Sequence, residues 1–249
     1  MKNYMDKDFF IAILAAGKGT RMNSEIPKVL HTVKNQAMID YVLETALKLN
    51  PKKIFTIVGF KKNEVINHIN KSCDLNKKIL EYIEQKEQLG TGHAVLQLEP
   101  ELADKEGHLL VLSGDVPNIK HQSLALIINN HMENDLDATI ITTIVEDPKG
   151  YGRILRDKSG KLIKMIEDKD CNDEEKLIKE INSGIYIFKI AHLFKNLNKI
   201  DSNNSSNEYY LTDIIELINE DGLVFTQIID NPEEVMGINN IQQLEAFQE

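Results

Sequence analysis

The sequence predicts an α/β fold with a doubly wound, mostly parallel sheet. Short apolar runs alternate with segments whose apolar residues recur at helical spacing, which is typical of right-handed βαβ units. A turn with two glycines directly follows the first apolar run, at a point where small residues let the backbone approach a ligand. The 249 residues are enough to bury a full core in one large domain.

Four apolar runs have the length of buried strands. They are predicted as the parallel strands: residues 9–14, 54–58, 109–112 and 138–143. Amphipathic segments between these runs are predicted as helices: residues 37–49, 90–98 and 121–131. Together these elements make up the first half of the predicted domain, about residues 9–145.

The pattern changes from Tyr151 onward. Short predicted strands follow, separated by polar loops: residues 153–155, 162–166 and 183–188. We predict that residues 1–249 form a single domain whose second half, about residues 146–249, is a smaller lobe that binds a specific substrate. Residues 169–179 are predicted as an exposed loop or short helix, and residues 201–207 as a flexible segment. The sequence has no internal repeat, and in particular no hexapeptide period.

Composition indicates a soluble globular protein, with 42% hydrophobic and 27% charged residues. A net charge of −10 argues against nucleic-acid binding, which needs a basic surface. Cys73 and Cys171 are far apart and do not form a metal-binding pair, which favours a reducing compartment. The sequence shows neither a signal peptide nor a run of membrane-spanning length, so a cytoplasmic location without membrane contact is predicted.

The most informative segment is LAAGKGTRMNSEIPK, residues 14–28. Leu14, Ala15 and Ala16 end the first strand, and Gly17 and Gly19 are predicted to allow a tight turn. Backbone N–H groups in such a turn favour an anion. We therefore predict that this loop binds the phosphates of a nucleotide.

Cations follow the turn. Arg21 offers a planar pair of donors and Lys28 a mobile point charge, so a triphosphate is the natural ligand. The segment does not fit a Walker A loop, because no Gly-Lys-Ser or Gly-Lys-Thr follows at the required spacing. It also lacks the third glycine of the dinucleotide-binding motif. The loop is thus predicted to be a nucleotide-binding loop of another type.

Five further motifs follow this loop in a recognisable order: QKEQLGTGHA (85–94), SGDVP (113–117), YGRI (151–154), EINSGI (180–185) and NEYYLT (207–212). With the glycine loop, they resemble the bacterial N-acetylglucosamine-1-phosphate uridylyltransferases. The resemblance runs from about residue 9 to residue 240. It implies a Rossmann-like nucleotidyltransferase fold, with a nucleotide-binding first half and a sugar-binding second half.

The resemblance also implies the reaction. UTP and N-acetylglucosamine 1-phosphate would give UDP-N-acetylglucosamine and pyrophosphate, by in-line attack on the α-phosphorus with Mg²⁺ as cofactor. Arg21 would hold the departing pyrophosphate, and Lys28 would neutralise charge at the α-phosphate. The two substrates are small molecules, and the sequence does not identify a protein partner.

Asp115 is the first candidate for the metal. It follows the predicted strand 109–112, at the carboxyl edge where α/β sheets bind ligands, and Mg²⁺ prefers oxygen ligands. An aspartate in this position can equally cap the next helix. By resemblance the second metal ligand is Asn239, in the segment MGINN.

The resemblance assigns uracil recognition to Gln85, Gly90 and Thr91, although Gln88 offers the same amide chemistry. His93 is expected to be a helix residue near the site rather than a base. Tyr209 and Tyr210 are expected in the core, with the rim of the pocket as the alternative.

On the sugar side, the resemblance implies Gly152, whose missing side chain admits the ligand, and Glu167 and Asn182, which would bond hydroxyl and acetamido groups. Asp168 stands where glutamine is usual and Ser183 where threonine is common. Both lie beside the predicted sugar pocket, so the sugar is less firmly predicted than the sugar 1-phosphate class.

The bifunctional members of the family continue into a hexapeptide-repeat acetyltransferase domain where this sequence stops, so neither acetyltransferase activity nor the trimer built by that domain is predicted. Thymidylyl or cytidylyl transfer, or another sugar 1-phosphate, remains an alternative. A metal-dependent glycosyltransferase would usually show two carboxylates around the metal strand, whereas Val116 and Pro117 follow Asp115. A catalytically silent nucleotide-sugar binding module is the non-enzymatic alternative.

Overall fold

The structure is a computed structural model that describes residues 8–72 and 79–247. Within these residues nine strands form one sheet, and two short strands, β2 and β3, form a separate hairpin. The strands in chain order are β1 (Phe9–Ala15), β2 (Thr32–Val33), β3 (Gln36–Ala37), β4 (Lys53–Val58), β5 (Leu80–Glu84), β6 (His108–Ser113), β7 (Ala138–Ile144), β8 (Arg153–Arg156), β9 (Leu162–Ile166), β10 (Glu180–Lys189) and β11 (Val224–Ile228).

The helices lie on both faces of this sheet or at its ends. In chain order they are α1 (Met38–Lys48), α2 (Lys62–Ser72), α3 (Thr91–Leu96), α4 (Glu99–Leu102), α5 (His121–Glu133), α6 (Ile190–Leu197), α7 (Asp213–Asp221) and α8 (Ile241–Ala246). Short 3₁₀ turns add to them, including Thr20–Met22 after β1 and Lys28–Leu30 before β2. Among the described residues, no helix combines the length and apolar character needed to cross a bilayer.

The order of strands in the main sheet is β5-β4-β1-β6-β10-β7-β11. β1 runs parallel to β4 and β6, β4 to β5, and β7 to β11. β10 is antiparallel to both of its neighbours, β6 and β7, and it also pairs with β8, which forms a hairpin with β9. The predicted α/β fold with a mostly parallel sheet is confirmed.

Alternate residues of β1 enter two separate cores, because successive side chains of a strand point to opposite faces. Ile11 and Ile13 pack in a core with residues of α1 and α5. Phe10 and Ala12 pack in the other core with residues of α3, α6 and α7. A sheet covered on both faces explains why its central strands read as continuous apolar runs.

The predicted strands of the first half are all present, and no strand end differs from its prediction by more than one residue. Two strands of the main sheet, β5 and β11, escaped prediction, as did the short hairpin strands β2 and β3. β5 has only half-buried and exposed residues, and β11 lies at the edge of the sheet, so neither shows a long apolar run. In the second half the prediction lacked the helices α6 and α7, and the predicted strand 183–188 is part of the ten-residue strand β10 inside the main sheet.

Residues 169–179 are largely exposed and contain a 3₁₀ turn, Glu175–Leu177, as expected for this segment. Cys171 is buried there, with its thiol against the carbonyls of Ile166 and Glu167. Cys73 lies outside the described residues. Residues 201–207 have no regular helix or strand, and the backbone N–H of Ser205 donates to Asp170 Oδ1 at 2.9 Å.

Candidate active site at the carboxyl edge of the sheet

The glycine loop leaves β1 at Ala15 and returns to the site at Lys28. Gly19 has φ +65°, and an ideal Cβ there would lie 2.6 Å from the Cβ of Lys28. Glycine is therefore needed at this position for both conformation and close approach. The prediction that Gly17 also permits the turn was wrong, because its φ is not in the left-handed region and a Cβ there would meet open space.

A cavity of about 450 Å³ lies over this loop. The structure brings together around it every residue predicted for phosphate or base binding. Its lining includes Leu14, Ala15, Ala16, Gly17, Gly19, Arg21, Lys28, Gln85, Gly90, Thr91 and Asp115. Lys18, Gln88 and Glu208 also line it.

A second cavity of about 230 Å³ lies on the side of β8 to β10. It contains all three predicted sugar-binding residues, Gly152, Glu167 and Asn182, together with Asn239. Both cavities are lined by Leu14, Thr91, Ser113 and Asp115. They therefore meet at the carboxyl ends of β1 and β6, where Asp115 lies.

Lys28 connects the two predicted metal ligands. Its ammonium donates a short hydrogen bond to Asp115 Oδ2 and another, at 2.8 Å, to Asn239 Oδ1. Arg21 Nη2 donates to the same Asn239 oxygen at 3.0 Å. A carboxylate oxygen and an amide oxygen thus converge on one cation, and oxygen ligands of this kind are those that a hard divalent ion prefers.

The segment that carries Asn239 is tied to the loop after β6. The backbone N–H of Ile238 donates to the carbonyl of Asp115 at 3.0 Å. Tyr151, from the other side, donates from its hydroxyl to the carbonyl of Gly237 at 3.2 Å. Burial raises the pKa of the Tyr151 hydroxyl, which is therefore a neutral donor at physiological pH.

Gln85 is buried, and its amide has a fixed orientation. Nε2 donates to the carbonyl of Gly90 at 3.0 Å and lies 3.1 Å from Nδ1 of His93. Because the carbonyl can only accept, the amide nitrogen must face inward. The oxygen Oε1 is then the atom that Gln85 offers to a ligand. Gln88 instead uses its Nε2 on the carbonyl of Gln85, at 3.0 Å.

Gly90 lies against the segment that contains Tyr209. It has φ +110°, and an ideal Cβ would be 2.5 Å from the carbonyl oxygen of Tyr209. The backbone of Tyr209 receives a hydrogen bond from Gly92 N–H and donates one to Leu89, both at 2.8 Å. The core position expected of Tyr210 is confirmed, since it is 9% exposed, whereas Tyr209 is half-buried.

Buried polar groups line the sugar side. The Glu167 carboxyl accepts from the hydroxyl of Thr212 at 3.2 Å, and burial raises its pKa, as do the nearby carboxylates of Asp213, Asp170 and Glu208. Asn182 Nδ2 lies 2.6 Å from the hydroxyl oxygen of Tyr186. Asn182 and Tyr186 thus hold each other in the pocket wall.

The two departures from the family pattern have intramolecular partners. Asp168 pairs with Arg153 Nη2 at 2.9 Å, and Arg153 is 1% exposed. The Ser183 hydroxyl donates to the carbonyl of Ile141 at 2.7 Å, beside the irregularity in β10 between Asn182 and Ile185. Neither side chain needs a ligand to satisfy its polar atoms.

Sequence reasoning missed several residues of the pocket wall, among them Tyr151 and Tyr186. Tyr151 directly precedes Gly152 in the YGRI motif, which was the available signal. Tyr186 sits one residue beyond the motif that contains Asn182, on β10, and its partners were visible only in the fold. His93, expected as a helix residue, lies on α3 and contacts Gln85.

The sequence profile of the nucleotidyl transferase family matches residues 11–233. The chain is 44% identical over 237 residues to the bifunctional protein GlmU of Clostridium novyi, which covers 95% of this chain and 51% of that protein. Proteins of the same name from Thermoanaerobacter pseudethanolicus and Acholeplasma laidlawii are 43% and 40% identical, over 93% and 97% of this chain and 49% and 50% of theirs.

The chain thus spans about half the length of these relatives. The matches confirm the resemblance drawn from the ordered motifs and the predicted class of enzyme, a nucleotidyltransferase. The chain belongs to the nucleotidyl transferase family.

Proposed function

We propose that the protein is a sugar-1-phosphate nucleotidyltransferase that converts UTP and N-acetylglucosamine 1-phosphate into UDP-N-acetylglucosamine and pyrophosphate. The observation that carries this proposal is the meeting of two cavities at Asp115. One is lined by the glycine loop with the cations Arg21 and Lys28, and the other has hydrogen-bonding groups suited to a sugar. A nucleotide and a sugar phosphate bound in them would bring their phosphates together at the shared edge.

The reaction is an in-line displacement. A phosphate oxygen of the sugar 1-phosphate forms a bond to the α-phosphorus of UTP, the bond from that phosphorus to the bridging oxygen breaks, and pyrophosphate leaves with the electron pair. A phosphate monoester has a second pKa of about 6, so the nucleophile is already ionised at neutral pH. The protein therefore needs no general base, only alignment and charge stabilisation.

Arg21 and Lys28 would supply that stabilisation. Both side chains reach the junction of the cavities, where they contact Asn239 in the structure. Arg21 would hold the β- and γ-phosphates, which leave as pyrophosphate, through its planar donors. Lys28 would contact the α-phosphate, and loss of such a donor typically costs on the order of 3 kcal/mol of barrier.

Asp115 and Asn239 would hold Mg²⁺. Two protein oxygens are sufficient, because Mg²⁺ keeps several waters and takes further oxygens from the phosphates. When bound, the ion would neutralise phosphate charge and polarise the phosphoryl oxygens. The convergence of both oxygens on the ammonium of Lys28 supports this assignment.

The geometry of Gln85 favours a uracil base. Uracil presents an N3–H donor on its pairing edge, which matches the free Oε1 of Gln85, whereas cytosine presents an acceptor at that position. Since Nε2 is held by Gly90 and His93, the amide cannot rotate to suit cytosine without losing these contacts. Thymine shares the N3–H donor, so thymidylyl transfer is the second candidate function.

The sugar would lie against Gly152, Glu167 and Asn182. An ideal Cβ on Gly152 would be 3.6 Å from both Asn182 Cβ and Glu167 Oε1, so a larger side chain would take up space between them. Asn182 is buried and Glu167 half-buried, and an analogue lacking the matching hydroxyl or acetamido group would leave them unpaired.

Both halves of the chain would act as one unit. Residues 9–145 supply the glycine loop, Gln85 and Asp115, and residues 146–249 supply the sugar contacts and Asn239. This division supports a single domain with the active site between its halves, because each half carries only one of the two proposed metal ligands.

The test is pyrophosphate release by the purified protein with Mg²⁺, each common nucleoside triphosphate and a panel of sugar 1-phosphates. We expect the largest kcat/KM for UTP with N-acetylglucosamine 1-phosphate, and loss of that signal in Asp115→Asn. Turnover with another pair would support the proposed reaction and contradict the proposed substrates. No turnover with any pair, together with UTP binding, would refute the enzymatic proposal in favour of a binding module.

A further inference from the structure

We propose that Gln243 is a positioning residue that holds Asn239 in place for the metal. The inference rests on the proposed function, because it extends the proposed Asp115 and Asn239 pair to a residue behind it. Gln243 lies on α8, outside the sequence motifs and outside both cavities of the proposed active site. Its role would be to fix the backbone from which the amide oxygen of Asn239 projects.

Two hydrogen bonds join Gln243 to the two residues that precede α8, Asn239 and Asn240. The backbone N–H of Asn239 donates to Gln243 Oε1 at 2.7 Å. The backbone N–H of Gln243 in turn donates to the side chain of the N-cap residue Asn240, at 2.8 Å. In an ordinary capping box the third helical residue reaches back to the N–H of the N-cap itself. Here it reaches one residue further, to the proposed metal ligand.

A second bond orients the amide of Asn239. Its Nδ2 donates to the carbonyl of Gly237 at 3.0 Å, so Oδ1 must face the opposite way. On that side it accepts from Lys28 at 2.8 Å and from Arg21 at 3.0 Å. With Gln243 holding the backbone and Gly237 holding the amide, the oxygen has one direction, toward the junction of the cavities.

Loss of the Gln243 acceptor would allow the backbone of Asn239 to move. The N–H of Asn239 would lack its partner in a part-buried position, and the backbone could rotate to bond water instead. Partners of this kind, behind the ligands themselves, typically change metal affinity or activity 10- to 100-fold when they are removed. A residue that only capped α8 would lower stability and leave metal affinity unchanged.

The experiment compares Gln243→Leu with two matched variants of the full chain. Gln242→Leu makes the same change at the neighbouring exposed glutamine, and Gln243→Glu retains an acceptor oxygen. Mn²⁺ is titrated into each protein with saturating UTP and no sugar, and free Mn²⁺ is followed by electron paramagnetic resonance against a UTP blank. Thermal midpoints are recorded in parallel without metal.

We expect Gln243→Leu to raise the Mn²⁺ dissociation constant about 10-fold or more, Gln242→Leu to leave it unchanged, and Gln243→Glu to stay within about threefold of the parent protein. Equal affinities for Gln243→Leu and the parent would overturn the proposal, as would a fall in thermal midpoint without a change in affinity. Absence of Mn²⁺ binding by the parent would overturn it too. The pyrophosphate assay on the parent protein decides the proposed function separately.

Discussion

The ammonium of Lys28 lies between the carboxylate of Asp115 and the amide oxygen of Asn239 and donates a hydrogen bond to each. The three groups come from the loop after β1, the loop after β6 and the segment before α8. Lys28 therefore holds together the two oxygens that we assign to a metal ion, and it must move toward the phosphates when that ion and the nucleotide bind.

Replacement of Lys28 by methionine should remove this mobile charge while keeping the length of the side chain. We expect kcat for pyrophosphate release to fall about 100-fold or more, because charge at the α-phosphate would be uncompensated in the transition state. Steady-state assays at saturating Mg²⁺ measure the change. Lys48→Met, at an exposed position on α1, is the control and should retain full activity. An unchanged kcat in Lys28→Met would contradict the assigned role.

The two glutamines near the base should differ sharply. Gln85→Leu removes the acceptor that we assign to uracil N3–H, so KM for UTP should rise about tenfold or more and the preference for UTP over CTP should shrink. Gln88→Leu removes an amide bonded to the carbonyl of Gln85 and should change KM less than threefold. Initial rates with both nucleotides test this, and a larger effect at Gln88 would reassign base recognition to that residue.

Alanine should be tolerated at Gly17 and not at Gly90. A Cβ on Gly90 would lie 2.5 Å from a backbone oxygen, at a φ of +110°, so Gly90→Ala should lower the free energy of unfolding by more than about 2 kcal/mol. Gly17→Ala meets open space and should stay within about 0.5 kcal/mol of the parent. Denaturant unfolding compares the two variants. If Gly17→Ala folds but binds UTP poorly, the phosphates approach the backbone at that residue.

Asp168 is expected to support the fold without selecting the sugar. Asp168→Ala would leave the buried guanidinium of Arg153 without its carboxylate, at a cost of about 3 kcal/mol. The ratio of kcat/KM values for different sugar 1-phosphates should stay as in the parent protein. Asp173→Ala, which removes an exposed carboxylate, serves as the control for unfolding. A changed sugar preference in Asp168→Ala would place this residue in the pocket after all.

Asp213 should make stability depend on pH. Burial, with help from the carboxylates of Asp201, Glu216 and Asp170, raises its pKa from 3.8 to about 6. The folded state then holds a proton that the unfolded state has lost, so stability falls as pH rises from about 4 to about 6. Asp213→Asn removes this penalty and should stabilise the protein by about 1 kcal/mol at pH 7.5, with little gain at pH 4. Thermal unfolding at both pH values is the measurement, and an equal gain at both would refute the assignment.

The sequence predicted the strands of the first half that are buried on both faces, and it missed β5 and β11, whose residues are mostly half-buried or exposed. Residues 9–14 of β1 form a continuous apolar run because helices cover both sides of that strand. β11 runs along the edge of the sheet, and Thr226 and Gln227 interrupt its apolar residues, so it gives no such signal. Hydrophobic periodicity indicates burial, so elements with mixed exposure can be identified only from the tertiary structure.

The residues of the candidate site also fall into those that local sequence could predict and those that it could not. The glycine loop and Arg21 are close in sequence, and their chemistry could be proposed from residue types and spacing. Asn239 rested on the family resemblance, because an asparagine in a loop has no signature of its own. The contact from Tyr151 to Gly237 joins distant parts of the chain, and no local pattern could have indicated it.

The position of β10 has a consequence for how the chain is made. β7 is complete at residue 144, but its two neighbours in the sheet begin only at residues 180 and 224. A nascent chain that extends past residue 144 but not yet to residue 180 carries the strand ATIITTI with both edges unpaired. This strand has no charged residue, and an unpaired apolar strand of this kind favours intermolecular pairing. Synthesis at about 5–20 residues per second sets how long that interval lasts, and β10 ends it by joining β7 to β6.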